Sequence, residues 1–235
     1  LTRSPIWSAI AATLTSEIRG GHYRPGDKLP TEAALATRFG VNRHTVRHAL
    51  AGLAEAGLVH ARRGSGVFVT ARPTEYRLGQ RVRFHQNLLA AGQTPSRRIT
   101  RAETRASDAE EAGLLGLPAG GEVHVVEGIS LADGHPLAAF RSIFPAARFP
   151  GLPDRVVAEG SITKALAALG LDDYTRRETR LTAQLADPVL ALALLVRPGA
   201  AVLQSVAVNV DAAGVPVEYG TTWFAGERVT LTVAA

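Results

Sequence analysis

Cysteine is absent from the 235 residues. That excludes a disulfide framework, a thiolate nucleophile and a cysteine-ligated zinc site. No run approaches the roughly 18 consecutive apolar residues that a membrane-spanning helix needs, so no membrane partner is expected. The first residues, Leu1 to Pro5, lack the charged-then-apolar pattern of a secretory signal, and a cytoplasmic location is expected. Catalytic signatures are also missing. There is no Gly-x-Ser-x-Gly elbow, no His-Glu-x-x-His, no Walker loop and no Gly-x-Gly-x-x-Gly at a strand–helix junction. The seven histidines are scattered. The expectation is a protein that is not an enzyme and carries no cofactor.

Charge is present but unevenly placed. The formal net charge is +5. Residues 1–70 hold nine Lys/Arg against four acids, whereas residues 71–235 hold 17 of each. A basic unit joined to a neutral one suits a phosphate-binding module attached to something else; a solubilising charge fluctuation is the plain alternative.

Within residues 1–70, Ser4 and Pro5 can start a helix, with a capping hydroxyl before a first-turn proline. Ile6, Ile10, Leu14 and Ile18 make its apolar stripe, and Gly20-Gly21 ends it. Thr31 can cap a second helix through Phe39, with Gly40 permitting a left-handed turn. Asn42 can cap a third, in which Val46, Leu50 and Leu53 face inward and which Gly57 ends. Two short helices joined through Phe39-Gly40-Val41 fit a helix-turn-helix. Residues 58–61 and 67–69 follow as two strands around Arg62-Arg63-Gly64-Ser65-Gly66. The third helix carries Arg43, His44, Thr45, Arg47 and His48 on its first turns, where a recognition helix meets base edges. Arginine can bond guanine O6 and N7, and a threonine methyl can touch a thymine methyl. The glycine-rich basic hairpin tip can approach a backbone or enter a minor groove. A solvated basic face is the alternative.

These residues resemble the GntR family of regulators. The resemblance is carried by Tyr23 through Glu32, Phe39 through Leu50, Gly57-Leu58-Val59 and Arg62 through Val69. It implies base contacts from Arg43, Thr45 and Arg47. It implies phosphate contacts from Thr31, the Glu32 backbone N–H and Arg38, and a wing near Gly66. Lys28, His44, His48, Arg62 and Arg63 complete the expected DNA-contacting set. His44 and His48 have the i, i+4 spacing of a helical metal pair, but no carboxylate or third histidine stands nearby in sequence, so no metal is expected.

The expected divisions are a DNA-binding domain at 1–71, a linker at 72–83 and a sensing and dimerising domain at 84–235. From Ser107 the chain repeats at an offset of 80 residues. Ser107 corresponds to Asp187 as a helix cap, Ser107 having Glu110 in capping-box position. Pro118, Gly134, Pro136 and Phe144 correspond to Pro198, Gly214, Pro216 and Phe224. Each copy predicts a helix (108–115 and 188–195) and two strands (122–131 with 137–144; 202–210 with 217–224) around a tight turn. Two such units can form one antiparallel sheet with an approximate twofold axis and a ligand cleft between the halves.

This part resembles the ligand-sensing UTRA domain of the HutC subfamily within GntR, which shares the chorismate lyase fold. The resemblance rests on Arg83 through Gly92, Leu131 through Leu137, Ser161 through Leu166 and Pro216 through Gly220. It implies an α+β architecture with an antiparallel sheet and flanking helices. Within the subfamily, Arg81 through Leu88 and Phe144 through Leu152 are most similar to regulators of phosphonate-metabolism genes. The function implied is a repressor, bound as a homodimer to palindromic double-stranded operator DNA and released by a small anionic effector such as phosphate or a phosphonate. The alternatives are a HutC-type regulator of another pathway, answering a sugar or amino-acid derivative, and, remotely, an enzyme on the same fold.

Two helix starts, at Phe84-His85-Gln86 and at Ser161-Ile162-Thr163, can hold an anion; subfamily members use these two places. Arg141, alone in an apolar strand, points either into the cleft or out to solvent. Glu218 and Tyr219 match the subfamily's ligand-lining strand, or form an exposed edge and a core rim. Sugar-phosphate sensors of the subfamily carry two arginines where this chain has Gly128 and Ser130, which argues against a sugar phosphate here.

Overall fold

The computed structural model describes residues 5–62, 64–70, 73–79 and 84–233. Ser4, Arg63, Arg72, Arg81 and Arg83, all of which figure in the sequence reading, lie outside the described residues. The chain divides into two units, Leu1–Arg72 and Pro73–Ala235.

The first unit has three helices, α1 (Ile6–Arg19), α2 (Glu32–Phe39) and α3 (Arg43–Glu55), and a hairpin of β1 (Val59–Arg62) and β2 (Gly66–Val69). Ile10 and Leu14 of the α1 stripe are buried, whereas Ile6 is 64% exposed because α1 begins beyond the core. Thr31 caps α2 by accepting from the Ala34 N–H at 3.2 Å, and Gly40 closes it at φ 66°. Asn42 caps α3 by accepting from the Thr45 N–H at 2.8 Å. Val46, Leu50 and Leu53 of α3 meet Leu14, Leu35, Val59 and Val69 in one core. Each such side chain contributes about 1.5–3 kcal/mol by leaving water.

The second unit is a six-stranded antiparallel sheet, ordered β4 (Pro95–Ala106), β5 (Glu122–Ala132), β6 (His135–Pro145), β9 (Pro216–Ala225), β8 (Ala201–Val210), β7 (Thr175–Leu185). Helices α5 (Ala109–Leu115) and α8 (Pro188–Leu194) bury Leu115 and Leu194 against Val125 and Ile129 on one face. Helices α6 (Leu152–Glu159) and α7 (Ile162–Ala168) bury Val156 and Leu166 with Phe144 and Phe149 on the other. Helix α4 (Phe84–Ala90) joins that second face through Phe84 and Leu88.

The strand order is its own mirror about the β6–β9 junction, as the internal duplication predicts. Arg141 pairs there with Thr221, its counterpart 80 residues on, which places the twofold axis through that pair. Upstream of the hairpins the offset is 79 rather than a constant 80. Seven residues lie between Ser130 and its partner Ala138, but eight between Asn209 and Glu218. The duplication also starts earlier than Ser107, because β4 and β7 are equivalent. The expected cap shifts by one residue: Asp108, not Ser107, caps α5, and Glu111, not Glu110, closes the capping box. Arg105 decides this by holding Glu111 through two hydrogen bonds of 2.7 and 2.6 Å.

The expected linker contributes a strand. β3 (Thr74–Leu78) runs parallel to β10 (Val229–Val233). Thr74, Tyr76 and Leu78 alternate inward and are buried, while Glu75 and Arg77 face out.

Candidate functional site

The first unit presents its polar residues around the start of α3. Arg43 and His44 are exposed. The Thr45 hydroxyl donates to Asn42 Oδ1 at 3.0 Å, so it is already used locally. Arg47 forks onto the Glu32 carboxylate from α2, with Nε–Oε1 3.1 Å and Nη2–Oε2 2.7 Å. The hydrogen bond from Arg47 holds the Glu32 carboxyl below its usual range. Thr31 and Lys28 are exposed beside this pair in sequence. Arg38 is bonded to Glu17 of α1 and reaches Tyr23 Oη at 3.4 Å. His48 stacks on Trp7, ring centroids 4.4 Å apart and 3° from parallel, so its ring serves α1–α3 packing. In the wing, Arg62 lies along the strand, its Nε 3.2 Å from His60 Nε2 and its guanidinium over Phe68. Gly66 has φ 112°, and a Cβ there would stand 2.8 Å from Lys28 Cε. Only glycine suits that position. Arg63 lies outside the described residues. No group of three metal-ligating side chains is found among the described residues.

The second unit contains a cavity of about 70 Å³ on the α7 face of the sheet. Three of the residues expected to bind the effector line it: Phe84, Thr163 and Glu218. The others do not. Arg141 is corrected to the outward alternative. Its neighbours Phe140 and Ser142 face the cavity, so a pleat of period two turns Arg141 to the opposite face, where it bonds Glu127 at 2.5 Å. Tyr219 faces away for the same reason and donates to Glu110 at 3.3 Å. Ser161 spends its oxygen as the α7 cap, accepting from the Lys164 N–H at 3.3 Å. Gln86 is exposed and absent from the lining. His85 is half-buried beside the cavity; burial, then Arg97 and Lys164, lower its pKa.

What the sequence reading missed are two arginines from the two edge strands, Arg97 of β4 and Arg176 of β7. Both Nε atoms are sealed from solvent and have no hydrogen-bond partner among the described residues. Arg97 lies between the rings of Phe140 and Phe84, 4.7 and 5.1 Å from their centroids. Burial lowers its pKa, with Tyr76, Glu218 and Tyr174 opposing. The two arginines are duplication partners: Arg97 pairs across the sheet with Ser130, and Arg176 with Asn209, each 79 residues on. Gly128 explains the room. A Cβ there would stand 2.5 Å from Arg98 O and 2.9 Å from Phe140 Cζ. Phe140 thus occupies the place a side chain at 128 would take, and the cavity's guanidinium groups come from β4 and β7.

A winged helix-turn-helix joined to a domain with a polar internal cavity defines a transcriptional regulator with a sensing domain. The GntR bacterial regulatory protein family matches residues 7–69, and the UTRA domain matches residues 90–230. The chain belongs to the GntR family and carries a UTRA domain of the HutC/PhnF type. An HTH-type transcriptional regulator of Rhizobium meliloti (strain 1021) is 40% identical over 97% of this chain and 94% of its own length. The probable transcriptional regulator PhnF of Escherichia coli is 44% identical over 50% of this chain and 48% of that protein. The crystal structure of PhnF from Mycobacterium smegmatis superposes with a TM-score of 0.68 at 27% identity, covering 96% of this chain and 98% of that one. These relatives are regulators, and so is this chain; regulators of the family bind operator DNA and take effectors in the UTRA domain. No helix of the described residues is long and apolar enough to cross a membrane.

Proposed function

We propose that this regulator is a cytoplasmic repressor that binds a palindromic operator as a homodimer and is released by a small oxyanion held between Arg97 and Arg176. The observation that carries the reading is that Arg97 and Arg176 line one cavity and that the Nε of each is buried with no hydrogen-bond partner among the described residues. Two guanidinium groups that share one small cavity with a single carboxylate, Glu218, leave an excess of positive charge, which partial burial makes costly and which the rings of Phe84 and Phe140 offset only in part at Arg97. An anion in the cavity supplies both the charge and the missing acceptors. Coupling to DNA requires that the anion bind the operator-free arrangement more tightly.

The likeness to PhnF proteins favours the phosphonate branch. The transcriptional repressor NagR of Bacillus subtilis, 32% identical over 60% of this chain, stands for regulators of other pathways. Gly128 disfavours an arginine-clamped sugar phosphate of the subfamily's usual kind, because Phe140 and the Arg98 carbonyl close that position. Differential scanning fluorimetry with inorganic phosphate and simple phosphonates tests the reading. The wild-type midpoint rises with one of these anions and the Arg97→Gln midpoint does not; a rise of equal size in both would place the anion elsewhere.

A further inference from the structure

The cavity is not symmetric in charge, and its asymmetry bears on what fills it. Arg97 and Arg176 are exchanged by the duplication, so alone they would make a twofold cationic cradle. Their neighbours break the symmetry. Opposite Ser130 in the first copy stands Ala138, but opposite Asn209 in the second stands Glu218. A methyl group in one half is thus replaced by a buried carboxylate in the other.

Glu218 is held by one hydrogen bond. Its Oε2 accepts from Asn209 Nδ2 at 2.6 Å. Among the described residues Oε1 has no hydrogen bond, and no ion pair within 4.0 Å joins Glu218 to Arg97 or Arg176. Glu218 and Arg97 nevertheless interact electrostatically and line the same space. Opposite charges that share a cavity without touching leave a gap that a ligand of two opposite charges would close. The space is small, about 70 Å³, a few times the roughly 10–15 Å³ that a single water requires, so it admits a compact molecule.

We infer that the effector is a short zwitterion, with an oxyanion head between Arg97 and Arg176 and an ammonium group on Glu218. This rests on the oxyanion reading above and adds the second pole. A phosphonate, sulfonate or carboxylate head separated from an amine by about two carbons fits the space. The head's chemistry sets how both Nε–H donors are used, while the amine donates to Glu218 Oε1.

The test is calorimetric binding to the full chain with three pairs of probes: 2-aminoethylphosphonate and ethylphosphonate, taurine and ethanesulfonate, β-alanine and propionate. At least one amine-bearing probe is expected to bind tenfold or more tightly than its amine-free counterpart. In Glu218→Gln, which keeps a side-chain oxygen for Asn209, that ratio is expected to fall below about threefold, the amine-free probe binding at least as tightly as to wild type because the carboxylate that faces its anionic head is gone. A merely structural role for Glu218 would weaken both members of a pair and leave the ratio unchanged. Equal binding within every pair, or a ratio that survives Glu218→Gln, overturns the zwitterion and leaves the oxyanion reading standing. Failure of all six probes to bind overturns both.

Discussion

Arg47 and Glu32 form a two-point fork between the helices of the helix-turn-helix, closed at 3.1 and 2.7 Å. Both side chains are substantially exposed, so the fork adds little stability of its own. It fixes where the Arg47 guanidinium points, and on the proposal that Arg47 reads a base, a bidentate donor is useful to a guanine only when it is aimed. Arg47→Ala is therefore expected to lose about tenfold to a hundredfold in discrimination between operator and a base-substituted site. Glu32→Gln should lose a smaller part of that discrimination while binding unrelated duplex at least as well as wild type. Fluorescence anisotropy on matched and substituted duplexes checks both; unchanged discrimination in Arg47→Ala would remove that residue from base reading.

His48 sits on the recognition helix, but its ring is stacked on Trp7. His48→Ala should lower the stability of the first unit by about 1 kcal/mol, the size of a lost ring pair, with little change in operator discrimination. Urea unfolding followed by Trp fluorescence measures the first, anisotropy the second. A specificity change without destabilisation would contradict the packing role.

Gly128 marks a place where the sheet has no space. Gly128→Ala drives a methyl into the Arg98 carbonyl at 2.5 Å, and overpacking of this kind costs about 1–3 kcal/mol. Because the obstacle includes backbone, Phe140→Leu should not restore the loss. Chemical denaturation of the single and double variants decides; full rescue would show that the Phe140 ring alone set the limit.

The Arg105–Glu111 pair gives a pH signature. Hydrogen bonds from Arg105 hold the Glu111 carboxyl below the ordinary range for a glutamate. A depressed folded-state pKa means that the contribution is fully present above the unfolded value and is lost as pH falls through the folded one. Glu111→Gln should therefore cost about 2–3 kcal/mol at pH 7, and the gap from wild type should shrink as pH drops below about 4.5. Denaturation curves across that range test the sign; a gap that widens in acid would contradict it.

Much of this architecture is legible in the residues. The α3 stripe shows helical periodicity, Gly40 shows in its turn chemistry, and the hairpins β5–β6 and β8–β9 show apolar, β-branched runs because helices cover both faces of the sheet there. β4 and β7 do not. They are edge strands with little buried surface, so their alternation is of polar with polar and carries no hydropathic period. Arg97 and Arg176 therefore carry no hydropathic mark in the sequence, whereas Arg141 stands out in an apolar strand. Burial of Phe140 and Ser142 decides the parity at Arg141, and sequence alternation alone could not. One signal was available: carrying the duplication upstream of Ser107 at an offset of 79 places Arg97 on Arg176.

The claim that this chain holds DNA through the basic face of α3 and its wing is tested most directly by titrating salt against duplex binding. Anisotropy of labelled operator or promoter duplex with the full chain is recorded from 50 to 200 mM NaCl. The logarithm of affinity should fall linearly with the logarithm of salt, and a dimer engaging about six phosphates should lose roughly a thousandfold. Binding that is absent at 50 mM, or unchanged at 200 mM, would contradict the account.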